Sequence, residues 1–324
     1  MLQRLVVAAA LVCVCAGSIS SSAVAADRIA VENTRGELMM KEGPLYATWQ
    51  KLNSGVTMGD FQLTNTWVTI LDNTPGLSGA PVADVSIKEP HWDSFWNIVY
   101  GGEGFDAKQI ATAPMTTPSW GNRLFVLSTS GKLLMKEPVW NTGWWSGSIE
   151  PSGEVVKQMW ASGNNILVLT ESGKLLGKDL TPGAYGHPMD VSWSVVANNV
   201  QDASASFNRI AYVSTTGNVY AKEGKLNAPW HSSVIYAGML KVKVADDKIC
   251  GLSSSKGIYC KQGALNAMVA YTYDSNADDI QLTRNRFVVH TKDSSVYAME
   301  GNLIGNSQGW MMVNYGDALR VRAQ

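Results

Sequence analysis

The sequence predicts an all-β protein: a seven-bladed β-propeller of four-stranded antiparallel blades, closed by its C-terminal strand. Three observations predict it. One motif recurs seven times between residues 27 and 324, at intervals of about 40 residues where no insertion intervenes. Each copy divides into short runs rich in Val, Ile, Leu and Tyr, broken by Ser/Thr/Gly/Asn turns, and no window has a helical period. The first copy begins directly at a strand containing Arg28, whereas the last ends on a fourth-strand motif at residues 317–322.

The first strand of the repeat is Asp27-Arg28-Ile29-Ala30-Val31. It recurs as Asn122-Arg123-Leu124, Asn164-Asn165-Ile166, Asn208-Arg209-Ile210, Asp247-Lys248-Ile249 and Asn285-Arg286-Phe287, with a weaker copy at Asn65-Thr66-Trp67. A polar turn such as Ser214-Thr215-Thr216-Gly217 leads to a second strand. That strand closes on Lys41-Glu42-Gly43 or a relative: Lys88-Glu89-Pro90, Lys136-Glu137-Pro138, Lys178-Asp179, Lys222-Glu223-Gly224, Lys261-Gln262-Gly263 or Glu300-Gly301. A Trp follows at 49, 96, 145, 193, 230 and 310, with Val269 in the sixth copy. A third strand comes next. The fourth carries a polar residue among apolar ones: Gln62, Gln109, Gln158, Gln201, Lys241, Gln281 and Arg320.

A four-stranded sheet cannot bury both faces alone, and radial repetition covers each blade with two neighbours. If the fourth-strand motif is innermost in its blade, the segment around Arg320 completes the sheet that holds the chain's first three strands. Cys250 and Cys260 flank the turn Ser253-Ser254-Ser255-Lys256-Gly257 symmetrically. They therefore face each other on paired strands, and a disulfide is expected. The second copy, within residues 65–120, is the most degenerate and leaves a six-bladed ring as the alternative.

Residues 1–26 have the three parts of a secretory signal: Arg4, an apolar run of about a dozen residues, and small residues ending Ala23-Val24-Ala25-Ala26. The run is too short to span a bilayer as a helix, and no second long apolar stretch follows, so no membrane span is expected. Residues 27–324 are expected to form a single domain, secreted to an extracellular or periplasmic space and monomeric. Charged residues are only 16% of the chain and the net charge is −1. That balance lacks the basic footprint of a nucleic-acid binder.

The side chains point to no catalytic constellation. The four histidines, at 91, 187, 231 and 290, are scattered without metal-ligand spacing. No close carboxylate pair, Ser-His-Asp order or phosphate loop emerges. No cofactor and no metal are therefore expected. The recurring Lys and Glu read as architecture, since an active site needs one constellation and not one per blade. The recurring Trp likewise reads as a wedge between blades. The other Trp residues, above all Trp92, Trp120, Trp140 and Trp144, are candidates for stacking on a sugar ring. The polar fourth-strand column, with Gln158 and Arg320 as its candidate ligand contacts, has two open placements: lining a central channel, or bonding from blade to blade. Insertions at 72–84, 98–121 and 179–190 enlarge loops, where function is commonly added to a rigid scaffold.

The order of an Arg-bearing strand, a Gly turn, Lys-Glu-Gly and then Trp resembles the tectonin and tachylectin class of β-propeller lectins. It is also similar to repeat regions attached to secreted bacterial proteins. The resemblance spans residues 27–324 and implies sugar binding in pockets repeated from blade to blade. Val269 in place of Trp, Met299 in place of Lys, and Pro90 and Pro138 in place of Gly reduce the expected sites from seven to one or a few. The leading expectation is a secreted, non-catalytic protein that binds carbohydrate or a cell-surface ligand. The alternatives are a protein-interaction platform or inhibitor using the inserted loops, and a propeller glycosidase or lyase.

Overall fold

The computed structural model describes residues 27–53, 55–64, 67–74, 83–88, 96–100, 106–114, 122–136, 149–163, 165–180, 192–268, 271–274, 276–301, 303, 309–314 and 316–323. Within them the chain forms only strands and turns. The first sheet contains β1 (Arg28–Asn33), β2 (Leu38–Glu42) and β3 (Gln50–Asn53). The second contains β4 (Met58–Leu63), β5 (Val68–Asp72), β6 (Asp84–Lys88) and β7 (Asn97–Tyr100). The third contains β8 (Ala107–Pro114), β9 (Asn122–Ser128) and β10 (Leu133–Lys136). The fourth contains β11 (Val156–Ser162), β12 (Asn165–Thr170), β13 (Leu175–Asp179) and β14 (Ser194–Ala197). The fifth contains β15 (Val200–Ala205), β16 (Arg209–Ser214) and β17 (Val219–Glu223). The sixth contains β18 (Met239–Ala245), β19 (Lys248–Ser253), β20 (Gly257–Gln262) and β21 (Tyr271–Asp274). The seventh contains β22 (Ala277–Leu282), β23 (Arg286–Thr291), β24 (Val296–Glu300) and β25 (Met311–Asn314). The last strand, β26 (Ala318–Ala323), pairs antiparallel with β1, so that Ile29 faces Ala323 and Val31 faces Val321. Seven antiparallel sheets of three or four strands fit a β-propeller.

The degenerate second copy forms a regular four-stranded sheet, and its neighbours do not absorb it. Four strands per copy is too many for the fifth sheet. Its outer edge keeps only isolated contacts on either side of Ser232-Ser233: His231 N–H to Ala221 O, and the bridge at Val219, which donates to Tyr236 O and accepts from Ile235 N–H. Pro229 has no N–H to add and Gly238 turns the chain away at φ 73°, so the ladder never becomes continuous. The third sheet's outer edge would fall on 137–148, outside the described residues.

The core consists of seven apolar clusters, each shared by two neighbouring sheets. Phe61 and Met40 join the first two sheets, Phe125 and Met159 the third and fourth, and Val31 and Val288 the seventh and first. The second strands β1, β19 and β23 are consequently buried at all six positions instead of alternating, because a neighbour covers both faces.

The repeated polar residues tie these layers together. Arg28, Arg123, Arg209 and Arg286 are almost wholly buried. Arg209 donates to Glu223 on its own hairpin and to Gly263 O of the next sheet. Arg286 repeats this with Glu300 and Gly43 O, and Arg123 donates to Leu180 O. The motif glycines Gly43, Gly224, Gly263 and Gly301 have φ of 84–89°, a left-handed turn that costs glycine least. The motif lysines fold over their own turn: Lys41 Nζ donates to Leu45 O at 2.7 Å and lies 4.8 Å from the Trp49 ring centroid. Lys222 does the same with Leu226 O and, at 4.7 Å, Trp230. Burial holds both ammonium groups below the usual lysine range. The Trp indoles then donate to the preceding sheet, Trp49 Nε1 to Val313 O and Trp193 Nε1 to Ile149 O, both at 2.7 Å. The recurring Lys, Glu and Trp are thus architecture, as the sequence predicts.

Cys250 and Cys260 are cross-strand partners on β19 and β20 and form a disulfide, with Cα atoms 4.1 Å apart.

Candidate functional site

The innermost strand of each sheet is its first in pairing order: β26, β4, β8, β11, β15, β18 or β22. Each contains a β-bulge. Asp60 pairs with Leu71 where Met58 pairs with Asp72, and the same slip recurs at Gln109, Gln158, Asp202, Lys241 and Asp279. The equivalent residue in β26 is Arg320. This register corrects the polar column read from the sequence. Gln109, Gln158, Lys241 and Arg320 stand in it, but its other members are Asp60, Asp202 and Asp279. Gln201 is the bulge residue of β15, while Gln62 and Gln281 lie two places further along their strands. The signal was present as a triplet of polar, apolar, then variable residue: Asp60-Phe61-Gln62 matches Gln109-Ile110-Ala111 and Asp279-Ile280-Gln281.

The column bridges sheets. Asp60 Oδ2 accepts from Ile110 N–H at 3.1 Å, and Asp202 Oδ2 from Val242 N–H at 2.9 Å. Gln109 makes both bonds at once, accepting from Met159 N–H at 3.0 Å and donating to Met159 O at 2.9 Å. Lys241 Nζ reaches Asp279 Oδ1 at 3.0 Å and Asp278 O at 3.2 Å. Arg320 donates to Glu32 on β1 and to Met58 O and Gly59 O on β4, at 2.5–2.6 Å. A carboxylate or amide at this position can accept the lone N–H of the next strand, whereas the cations cap its bulge carbonyls.

The same strands also line a cavity of about 280 Å³, so both placements of the column are realised. Gln62, Gln109, Gln158, Asp202, Lys241, Asp279 and Gln281 face it with Trp160, Lys243 and Arg322, and every innermost strand contributes. Its electrostatics are mixed. Burial raises Asp202 to about 6, against the pull of Lys243 and the Val242 N–H. Burial also acts to raise Asp279, but Lys243, Lys241 and Arg322 outweigh it and hold that carboxyl low.

A second concavity, of about 900 Å³, opens between the fifth and sixth sheets at the Lys-Glu-Gly end. Phe207, Arg209, Glu223, Asp246, Asp247 and Arg284 line it. Loops at this end also expose large apolar side chains: Tyr46 is 82%, Phe207 62% and Met268 89% accessible. The sequence does not mark them: Tyr46 and Met268 sit among apolar neighbours that read as strand, and Phe207 stands singly between Ser206 and Asn208.

Trp92, Trp120, Trp140 and Trp144 lie outside the described residues, as do His91 and His187. Gln158 faces the cavity, and Arg320 is committed to the joint between the first and second sheets. His290 is buried with its Nε2 3.0 Å from Ala318 O, a satisfied packing role. Among the described residues, no group of three or more His, Cys, Asp or Glu could hold a metal ion. No described helix is long and apolar enough to cross a membrane, which leaves a β-barrel span unaddressed.

No protein-family model matches the chain, and no curated protein matches it in sequence. Solved structures do match in shape. Human WBSCR16 is similar at a TM-score of 0.61 and 9% identity, over 89% of this chain and 94% of that one. Hsv2 from Kluyveromyces lactis is similar at 0.54 and 12% identity, over 78% and 77%. Prp20p from Saccharomyces cerevisiae, a structure described together with its binding to Gsp1p and histones, is similar at 0.51 and 9% identity, over 73% and 70%. The shared fold is the β-propeller. At these identities the likeness shows the fold alone, and it supports a propeller repeat without supporting the tectonin and tachylectin resemblance.

Proposed function

We propose that residues 27–324 form one closed seven-bladed propeller that acts as an exported, non-catalytic binding protein with a protein as its partner. Ring closure is supported by the pairing of β26 with β1 and by the apolar cluster joining the seventh sheet to the first. Export is supported by the signal-like residues 1–26 and by a disulfide in so small a hairpin, which an oxidising compartment maintains.

The observation that carries the protein reading is the trio Tyr46, Phe207 and Met268. Aromatic residues and Met are enriched where proteins meet; these three are exposed in loops at one end of the sheets, and Phe207 lines the charged cleft there. Prp20p is one propeller described by its binding to proteins, and the same use of a rigid ring is proposed for this chain. Glycan recognition through Trp92, Trp120, Trp140 and Trp144 is the competing reading.

The test is photocrosslinking from position 207 in the exported protein, with position 98 on the outer strand β7 as the control. A discrete crosslinked protein from position 207, lost when Tyr46 and Met268 become Ser, is expected. A blank crosslink together with saturable glycan-array binding would overturn the protein reading in favour of carbohydrate.

A further inference from the structure

We propose that the central cavity is a binding site for a small oxyanion, a carboxylate or a phosphate, held at Lys243. The cavity's other cations are already engaged. Lys241 is paired with Asp279, and Arg322 Nη2 lies 3.1 Å from Asp60 Oδ1 while its Nη1 donates to Val321 O. Lys243 faces the same space, half-buried, and among the described residues it makes neither an ion pair nor a hydrogen bond. The side-chain amides of Gln62 and Gln158, on β4 and β11, line the same cavity in the same condition. An ammonium with three donors and two side-chain amides, none of them hydrogen-bonded, face a void of about 280 Å³, with Asp202 and Asp279 near enough to act on the ammonium only through space. Trp160 supplies a flat apolar wall.

Lys241, Lys243 and Arg322 stand against two lining carboxylates, Asp202 and Asp279, and against the Asp60 that Arg322 bonds, so the balance tips toward an anion when Asp202 is protonated. Asp202 meets Lys241 and Lys243 from β18 and Asp279 from β22, whereas β11 offers it only the uncharged Gln158 and Trp160. Protonating Asp202 removes one of the two negative charges and turns a repelling oxygen into a donor. Uptake therefore strengthens toward acid pH. Lys108 and Lys157, the bulge residues of β8 and β11, add positive charge at the start of two neighbouring strands and draw anions inward.

The experiment is isothermal titration of the full chain with inorganic phosphate, acetate and succinate at constant ionic strength, at pH 5.5 and 7.5. Saturable binding of at least one probe is expected, tighter at pH 5.5. Lys243→Gln weakens it about tenfold or more, and Asp202→Asn abolishes the pH difference. No saturable binding to any probe, equal affinity in Lys243→Gln, or tighter binding at pH 7.5 would overturn the assignment. Should Lys243→Gln melt early, Gln62→Leu gives the same comparison by removing an amide from the opposite wall. The photocrosslink from position 207 is unaffected by either variant, so this site and the protein partner stand or fall separately.

Discussion

Asp202 and Arg286 show how single side chains set the conditions under which this fold is stable. The Asp202 carboxyl is raised from 3.8 to about 6 by burial, so it binds its proton more tightly in the folded chain than in the unfolded one. Its contribution to stability is therefore present in acid and is lost as pH rises from about 4 through about 6. At about 1.4 kcal/mol per pKa unit, the loss is at most about 3 kcal/mol. Urea unfolding of Asp202→Asn at pH 4.5 and 7 is expected to lack this slope, and an unchanged slope would remove Asp202 as its source. Asp279 works the other way, because a lowered carboxyl stabilises above its unfolded value and fails only in stronger acid. Arg286 is 1% accessible and joins Glu300 to Gly43 O across two sheets. Arg286→Ala strands both acceptors and is expected to cost about 3 kcal/mol or more in the same measurement. Arg286→Lys is expected to recover only part, since one ammonium cannot reproduce a planar fork.

At the level of the strand and hairpin, the sequence was most legible where chemistry repeats and least where geometry slips. Lys41, Trp49 and their counterparts could be read because most copies place the same residues at the same turn. The inner column was misaligned at Gln62, Gln201 and Gln281 because matching was by residue type. A bulge inserts one residue and breaks the period of two, and an Asp performs the task a Gln performs elsewhere. The missing fourth strand of the fifth sheet has a local cause, in Pro229 and the Ser232-Ser233 break, that a repeat average conceals. The exposed trio Tyr46, Phe207 and Met268 has no periodicity at all, so no pattern could mark it. The hairpin of β19 and β20 was legible because Cys250 and Cys260 fall symmetrically about their turn. Replacing both by Ala is expected to lower stability by about 2–3 kcal/mol, the effect of releasing a loop of about ten residues, read as a fall in the urea midpoint with unchanged slope.

Across the whole molecule, the proposed ring makes stability depend on each sheet having two neighbours. The first sheet is the exception in origin, because its innermost strand comes from the far end of the chain. Deleting residues 317–324 removes β26, the Arg320 and Arg322 bonds to β4, and half of the cover over β1. The truncated chain is expected to lose its single cooperative unfolding transition in calorimetry. A deletion that melts like the full chain would show that β26 adds little beyond its own hydrogen bonds.

The pairing of β26 with β1 also fixes how the molecule responds to mechanical force. Ile29, near the start of β1, faces Ala323 at the end of β26, so the start of one strand and the end of the other lie at the same end of their ladder. Pulling them apart loads the ladder one rung at a time, as in opening a zip, and never shears all its rungs together. Tension applied through both strands would therefore peel β26 away from β1 at low force. Tension applied through any other pair of blades would have to tear packed sheets apart. A single-molecule pulling record is expected to begin with a small early step about the length of one strand, well before the main rupture.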